Sequence, residues 1–274
     1  MGEFAACFSR IVEIARVMGK NNARRMLLLK IVILFGAFVL MAGGTATPVA
    51  AQGFNAFNVQ LLQGSGYRLV KDRATTFTGE WANAWRYGEN FAFVDVARPF
   101  SGEPGTYAEW LPRLSLSNIS GRDISAGPVR DVLLAGNIKS GDGFRSYLAG
   151  AGVSLDVPGF NFFNVNGFRR NDSGVPGSTW QLNMSWNSTF TTGALHWEFG
   201  GFLNWAAAEG TPGTGAYSHP NLLTQPQLMF DLGRLLGGGP DRIYAGVEWQ
   251  VWRNKFGVDG FDESVLQAAI KLKL

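Results

Sequence analysis

The residues of this 274-residue chain that could do chemistry are mainly carboxylates and aromatic rings at alternating positions. Glu80, Asp95, Glu109, Asp131, Glu198, Asp231 and Glu248, with the bases Arg113 and Arg242, share sequence faces with Phe91, Phe93, Tyr244 and Trp252. A carboxylate accepts hydrogen bonds from hydroxyls, and a ring offers a stacking face. Together they suit reversible holding of a small polar solute. Nothing comparable supports catalysis. The histidines are His196 and His219, and the cysteine is Cys7. There is no Gly-x-Ser-x-Gly, no zinc-ligand spacing and no phosphate-cradling glycine loop. The residues therefore argue against an enzyme and imply no cofactor and no metal.

The element that must position these groups is the strand. Arg242 to Trp252 reads Arg-Ile-Tyr-Ala-Gly-Val-Glu-Trp-Gln-Val-Trp. Ile243, Ala245, Val247, Trp249 and Val251 fall on one face, and Tyr244, Glu248, Gln250 and Trp252 on the other. The pattern recurs in Trp180–Asn187, Leu195–Trp205 and Leu266–Leu274. Turn-forming residues separate twelve such stretches, at about 54–63, 74–85, 89–97, 107–118, 128–138, 144–155, 160–169, 179–187, 194–205, 222–232, 242–252 and 264–274. No helical layer is available to cover so many one-sided strands. A sheet that is greasy on one face and polar on the other can close with the greasy face toward lipid. The fold class expected is all-β: a transmembrane antiparallel β-barrel of twelve strands. Trp197 and Trp205 lie eight residues apart on one face, roughly 26 Å along a strand, which fits two aromatic girdles. An even strand count puts both termini at one end and the long 206–221 connection at the other. A soluble lipocalin-like barrel or sandwich would need fewer strands and an apolar interior.

The first 51 residues read differently. Ile31–Ala42 is an apolar run preceded by Arg24, Arg25 and Lys30 and followed by small residues up to Ala51. That is the pattern of a cleavable export signal ending before Gln52, and the run is short for a membrane anchor. Met18 would give an n-region of ordinary length. The expected division is thus 1–51 as signal with an N-terminal extension, and 52–274 as barrel. Six of the 24 Lys/Arg and two of the 21 Asp/Glu precede residue 52, leaving 18 and 19 and a net charge of −1. No basic patch for nucleic acid remains. Cys7 falls in the same segment, so the barrel region has no disulfide framework.

Glu109-Trp110-Leu111-Pro112-Arg113-Leu114-Ser115 resembles the Glu-x-x-Pro-Arg-x-Ser signature of the nucleoside-specific channel-forming outer-membrane proteins, the Tsx and OmpK type. Gly127–Asn137, Tyr147–Gly159, Glu80–Trp85, Phe91–Asp95, Leu223–Leu228 and Trp252–Gly257 resemble further segments of that family, in its order. The resemblance implies a monomeric twelve-stranded barrel in the outer membrane of a Gram-negative cell, with a narrow pore for nucleosides. Barrel assembly signals usually end in an aromatic residue; Leu274 implies slower assembly or a tolerant signal.

The expected function is passive diffusion of small polar solutes, nucleosides first, with outer-membrane lipids as the surroundings. The competing reading is a structural or surface-receptor barrel, used by phage or in adhesion, with a filled interior. The candidate solute-lining residues are Glu80, Phe91, Phe93, Asp95, Glu109, Arg113, Glu198, Tyr244, Glu248 and Trp252. Many of these charges are expected to cancel against neighbours, because an unpaired buried charge is costly. Glu109 and Arg113, four apart on one strand face, are about 13 Å apart and cannot pair with each other.

Overall fold

The computed structural model describes residues 53–69, 73–98 and 104–274. The export signal expected over 1–51 lies outside them. The strands are β1 (Asn55–Ser65), β2 (Arg73–Trp85), β3 (Gly88–Ala97), β4 (Gly105–Ser115), β5 (Val129–Gly141), β6 (Phe144–Leu155), β7 (Phe162–Asp172), β8 (Thr179–Thr192) and β9 (Leu195–Ala206). A small hairpin, β10 (Glu209–Gly210) and β11 (Tyr217–Ser218), follows. Then come β12 (Asn221–Thr224), β13 (Gln227–Asp231), β14 (Ile243–Arg253) and β15 (Glu263–Lys273). Each strand from β1 to β8 pairs antiparallel with the next, and β1 pairs with β15 to close the sheet. β12 and β13 both lie between β9 and β14 in one continuous register, so they are two halves of a single stave. The result is a closed barrel of twelve staves.

The interruption in that stave has a local cause. Pro226 has no N–H to give a ladder, so pairing stops at Gln225 and Pro226. The Pro226 carbonyl still accepts from Trp249 N at 2.9 Å. Gly201 of β9 sits opposite with φ 151°, and a Cβ there would come within 2.6 Å of the Gln225 carbonyl. Only glycine allows that approach.

Side-chain alternation explains the closure. Leu61, Leu134, Ile138, Leu228, Ile243, Val247, Leu266 and Ile270 are exposed on the outside. Gln60, Asn137, Asn166, Gln181, Asn183, Gln267 and Lys271 are buried on the inside. So large an exposed apolar surface is untenable in water and suits hydrocarbon. Aromatic rings gather toward each rim. Phe163, Trp186 and Phe199 make one run (centroids 6.5 and 6.1 Å apart), and Phe190, Trp197 and Phe230 another (6.4 and 5.8 Å), toward the end that holds the termini. Trp180, 61% exposed, and Trp205 stand toward the opposite end, and the Arg169 guanidinium lies 5.4 Å from the Trp180 ring.

Three expectations need correction. The fourth stretch, drawn to 118, stops at Ser115, whose hydroxyl accepts from Asn118 N at 3.0 Å and caps a short helix, Leu116–Ser120. The eighth strand runs five residues beyond 187, to Thr192, because it forms a tight hairpin with β9. Arg242, assigned to an inward strand face, precedes β14 and is exposed. The 207–220 connection does lie at the end away from the termini. It is tied down there: His219 N donates to the Gly257 carbonyl at 2.9 Å, and Asn254 Nδ2 to the Pro220 carbonyl at 2.9 Å.

Candidate functional site

The interior of the barrel is lined by two kinds of carboxylate. The first kind is neutralised by the chain's own bases. Glu109 of β4 accepts from Asn137 Nδ2 at 2.8 Å and from the Tyr107 hydroxyl, and lies 3.3 Å from Lys139 Nζ. Arg113 pairs with Glu89 at 2.6 Å and reaches Ser154 Oγ at 3.3 Å. Arg170 and Asp172 form a two-point contact, each bond 2.7 Å. Glu198 of β9 receives Lys271 at 3.0 Å and Lys273 at 2.5 Å, both from β15, three staves away. Glu263 receives Lys255 at 2.5 Å. Such pairs resolve the cost of burying each partner.

The second kind has only neutral donors. Glu80 accepts from Asn58 Nδ2 at 2.8 Å, and Asp95 from Thr78 Oγ1 at 2.6 Å. Glu248, 7% exposed, accepts from three glutamine amides: Gln225 at 3.0 Å, Gln227 at 2.7 Å and Gln267 at 2.7 Å. Among the described residues no lysine or arginine lies within ion-pair distance of these three acids. Their charges are close enough to repel one another.

Aromatic rings run along the same wall. Strand register sets Glu80 opposite Phe93, and Asp95 opposite Tyr107. Phe91 and Phe93 have centroids 6.0 Å apart, Phe93 and Tyr107 5.7 Å, and Tyr107 and Phe144 6.0 Å in a stacked pair. Phe91 is 38% exposed although its register faces inward.

The ten candidates all have inward register, but they do not form one site. Glu80, Phe91, Phe93 and Asp95 lie together on β2 and β3, with Glu109 and Arg113 beside them on β4. Glu109, Arg113 and Glu198 are held by ion pairs. Tyr244 is packed with Leu62, Met229 and Ala269; its hydroxyl donates to Asp241 at 2.8 Å, and Lys273 Nζ stands 4.3 Å from its ring. Trp252 has Lys255 Nζ 4.8 Å from its ring and meets Phe256 edge-on at 4.8 Å. Of the other acids noted, Asp131 accepts from Ser117 Oγ at 2.8 Å and Asp231 pairs with Arg234 at 3.2 Å.

Sequence reasoning missed Tyr107, Phe144 and the glutamine fork on Glu248. Tyr107 lies two residues before Glu109 and was legible as its face-mate. It also missed how constricted the interior is. Gln227 Nε2 crosses to Gln60 Oε1 at 2.9 Å, spanning three staves, and Tyr67 folds in to donate to Gln267 Oε1 at 2.6 Å. At the end with the termini, His196, Tyr244, Asp241, Thr189 and Thr191 line an open cleft.

No protein-family model matches the chain, and no curated protein matches it in sequence. Solved structures similar in outline include a KdgM porin in complex with disordered oligogalacturonate, 8% identical with a TM-score of 0.45 over 80% of this chain and 98% of that one. A second KdgM porin is 10% identical, TM-score 0.45, over 79% and 98%. A bacterial polysaccharide outer membrane secretin is 8% identical, TM-score 0.38, over 81% and 98%. At these values the likeness is one of general barrel outline, and no residue role is carried over from those proteins.

Proposed function

We propose that this chain is an outer-membrane channel for passive diffusion of small polar solutes, with nucleosides as the first candidates, exported by the signal expected in residues 1–51. The observation that carries the reading is the wall of β2 to β4. Acceptors without a partner cation, Glu80 and Asp95, stand beside the rings of Phe93 and Tyr107 in a barrel whose exterior is apolar. A nucleoside offers ribose hydroxyls as donors and a flat base. Stacking contributes about 1–3 kcal/mol per base where measured on single strands. A hydrogen bond to a charged group adds roughly 1.5–3 kcal/mol. After the cost of association this leaves weak binding, which suits a path that must also release its solute. Glu109 is satisfied by Lys139 and Asn137, so in this reading it is structural.

The test is uptake of labelled uridine into proteoliposomes, against a sugar of similar size. Asp95→Asn and Phe93→Ala should slow uridine more than the sugar. Equal slowing of both, or of neither, would place selectivity elsewhere.

One observation favours the second reading, a surface-receptor barrel with a filled interior. The Gln227–Gln60 and Lys271–Glu198 contacts are chords across the interior. Single-channel recording separates the two, because a filled barrel conducts no ions.

A further inference from the structure

Two ion pairs, one at the end of the barrel away from the termini and one in its interior, share one chemical arrangement. In the first, the Glu263 carboxylate receives the Lys255 ammonium at 2.5 Å, and that ammonium stands 4.8 Å from the Trp252 ring and 5.3 Å from the Phe256 ring. In the second, Glu198 receives Lys273 at 2.5 Å, and its ammonium stands 4.3 Å from the Tyr244 ring. Each is a carboxylate, an aromatic face and a primary ammonium held between them. The ammonium gains a charge-assisted hydrogen bond and the attraction of a ring face.

The wall of β2 to β4 has two of the three parts. Asp95 and Glu80 supply carboxylates whose donors are a hydroxyl and an amide. Phe93 lies directly across from Glu80 and two residues along the same face from Asp95. Its ring is 5.7 Å from that of Tyr107. No lysine or arginine of the described residues reaches these acids, whereas Arg113, Lys139, Arg170, Lys255, Lys271 and Lys273 are each paired. Glu248, held by three amides, adds a third acid without a partner cation near by.

We infer that this wall selects solutes bearing a primary ammonium, which supply from outside the third part that Lys255 and Lys273 supply within the chain. The inference rests on the reading of the interior as a solute path, but not on nucleosides as the solute. The field of the uncancelled acids also makes small-ion conduction cation-selective.

The probe is 1,4-diaminobutane, with 1,4-butanediol as its uncharged counterpart, titrated by calorimetry into the detergent-solubilised full barrel. Binding of the diamine and not the diol is expected. Asp95→Asn or Glu80→Gln, both close to isosteric, should weaken it about tenfold, the scale of one hydrogen bond to a charged group. Thr78→Lys, which sets an ammonium directly opposite Asp95, should abolish it. Absence of diamine binding, or equal binding to Thr78→Lys, overturns the inference. Reversal potentials in planar bilayers under a KCl gradient give the second measurement. Potassium should be preferred over chloride, and the preference should fall in Asp95→Asn/Glu80→Gln. Conduction without cation preference overturns the inference and leaves the channel standing. Diamine binding without any conduction overturns the channel reading, and with it the selection of passing solutes.

Discussion

Two arcs of the barrel interior are built from the same residue types and differ in how their charges are met. On the arc from β9 through β15, Glu198 reaches Lys271 and Lys273 over the fully buried Met229. On the arc of β2 and β3, Glu80 and Asp95 meet an amide and a hydroxyl. The first arrangement cross-links distant staves and is filled by its own side chains. The second leaves acceptor capacity and ring faces turned toward the interior. The difference teaches that burial and inward register do not tell the interior acids apart; what separates them is whether a lysine or arginine meets the charge.

The largest expected effect tests whether the cross-linked arc is structural. Glu198→Gln leaves two lysine ammoniums, that of Lys271 buried, without their carboxylate. Breaking a buried pair from one side costs about 3–5 kcal/mol. Glu80→Gln keeps a carbonyl for Asn58 and should cost roughly 1 kcal/mol or less, the scale of an ordinary hydrogen bond. Urea titration in detergent, read by loss of heat-modifiable gel mobility, gives both values. If the two variants lose equal stability, the division of the interior into two arcs fails.

A smaller effect contrasts the crowded inner face of the cross-linked arc with the open outer face of β2 through packing. Gly246 lies on the inward face of β14 in the cross-linked arc, and a Cβ there would meet the Leu228 carbonyl at 2.1 Å and Met229 Cα at 2.7 Å. Gly79 of β2 faces outward, opposite Val59 and Val94, and has no atom nearer than 3.6 Å to such a Cβ. Gly246→Ala should therefore destabilise by about 1–3 kcal/mol through overpacking. Gly79→Ala should be neutral or stabilising by roughly 0.5–1 kcal/mol, since alanine loses less chain freedom in a strand. The same urea assay reads both.

The fold was legible in the sequence because a barrel writes its two surfaces into every strand. In β14 and β15 the expected inward and outward residues match the register throughout. Local chemistry at strand ends was less legible. Ser115 diverts β4 into a capped helix, and Pro226 splits a stave, because one side chain or one missing N–H decides the outcome. Charge pairing was not legible at all. Lys271 and Glu198 are 73 residues apart, and nothing in either strand's alternation selects the other. The candidate acids therefore looked alike in sequence, and only the placement of their neighbours separates Glu109 and Glu198 from Glu80, Asp95 and Glu248.

The smallest effect comes from the connection between β14 and β15, where a buried pair and an exposed one lie side by side. Lys255 and Glu263 are shielded, while Arg253 and Asp262 form a 2.8 Å pair at the surface. Asp262 also accepts from Asn254 N at 2.9 Å. That backbone bond first, and the Arg253 side chain second, hold its carboxyl below the usual carboxylate range. A lowered carboxyl lends stability that is complete above its unfolded value of about 3.9 and is lost as pH falls through the lowered folded value. The connection should thus stay closed to a loop-cleaving protease at neutral and mildly acidic pH. It should open only in strong acid, below roughly pH 4. Pepsin tolerates that range and provides the measurement. Asp262→Asn should show the open pattern at milder acidity, with a modest change in cleavage rate, because water screens an exposed pair. If instead the connection opens in wild type well above pH 4 while Asp262→Asn behaves identically, the exposed pair contributes nothing. The buried Lys255–Glu263 pair and the bonds from His219 and Asn254 would then hold that end of the barrel.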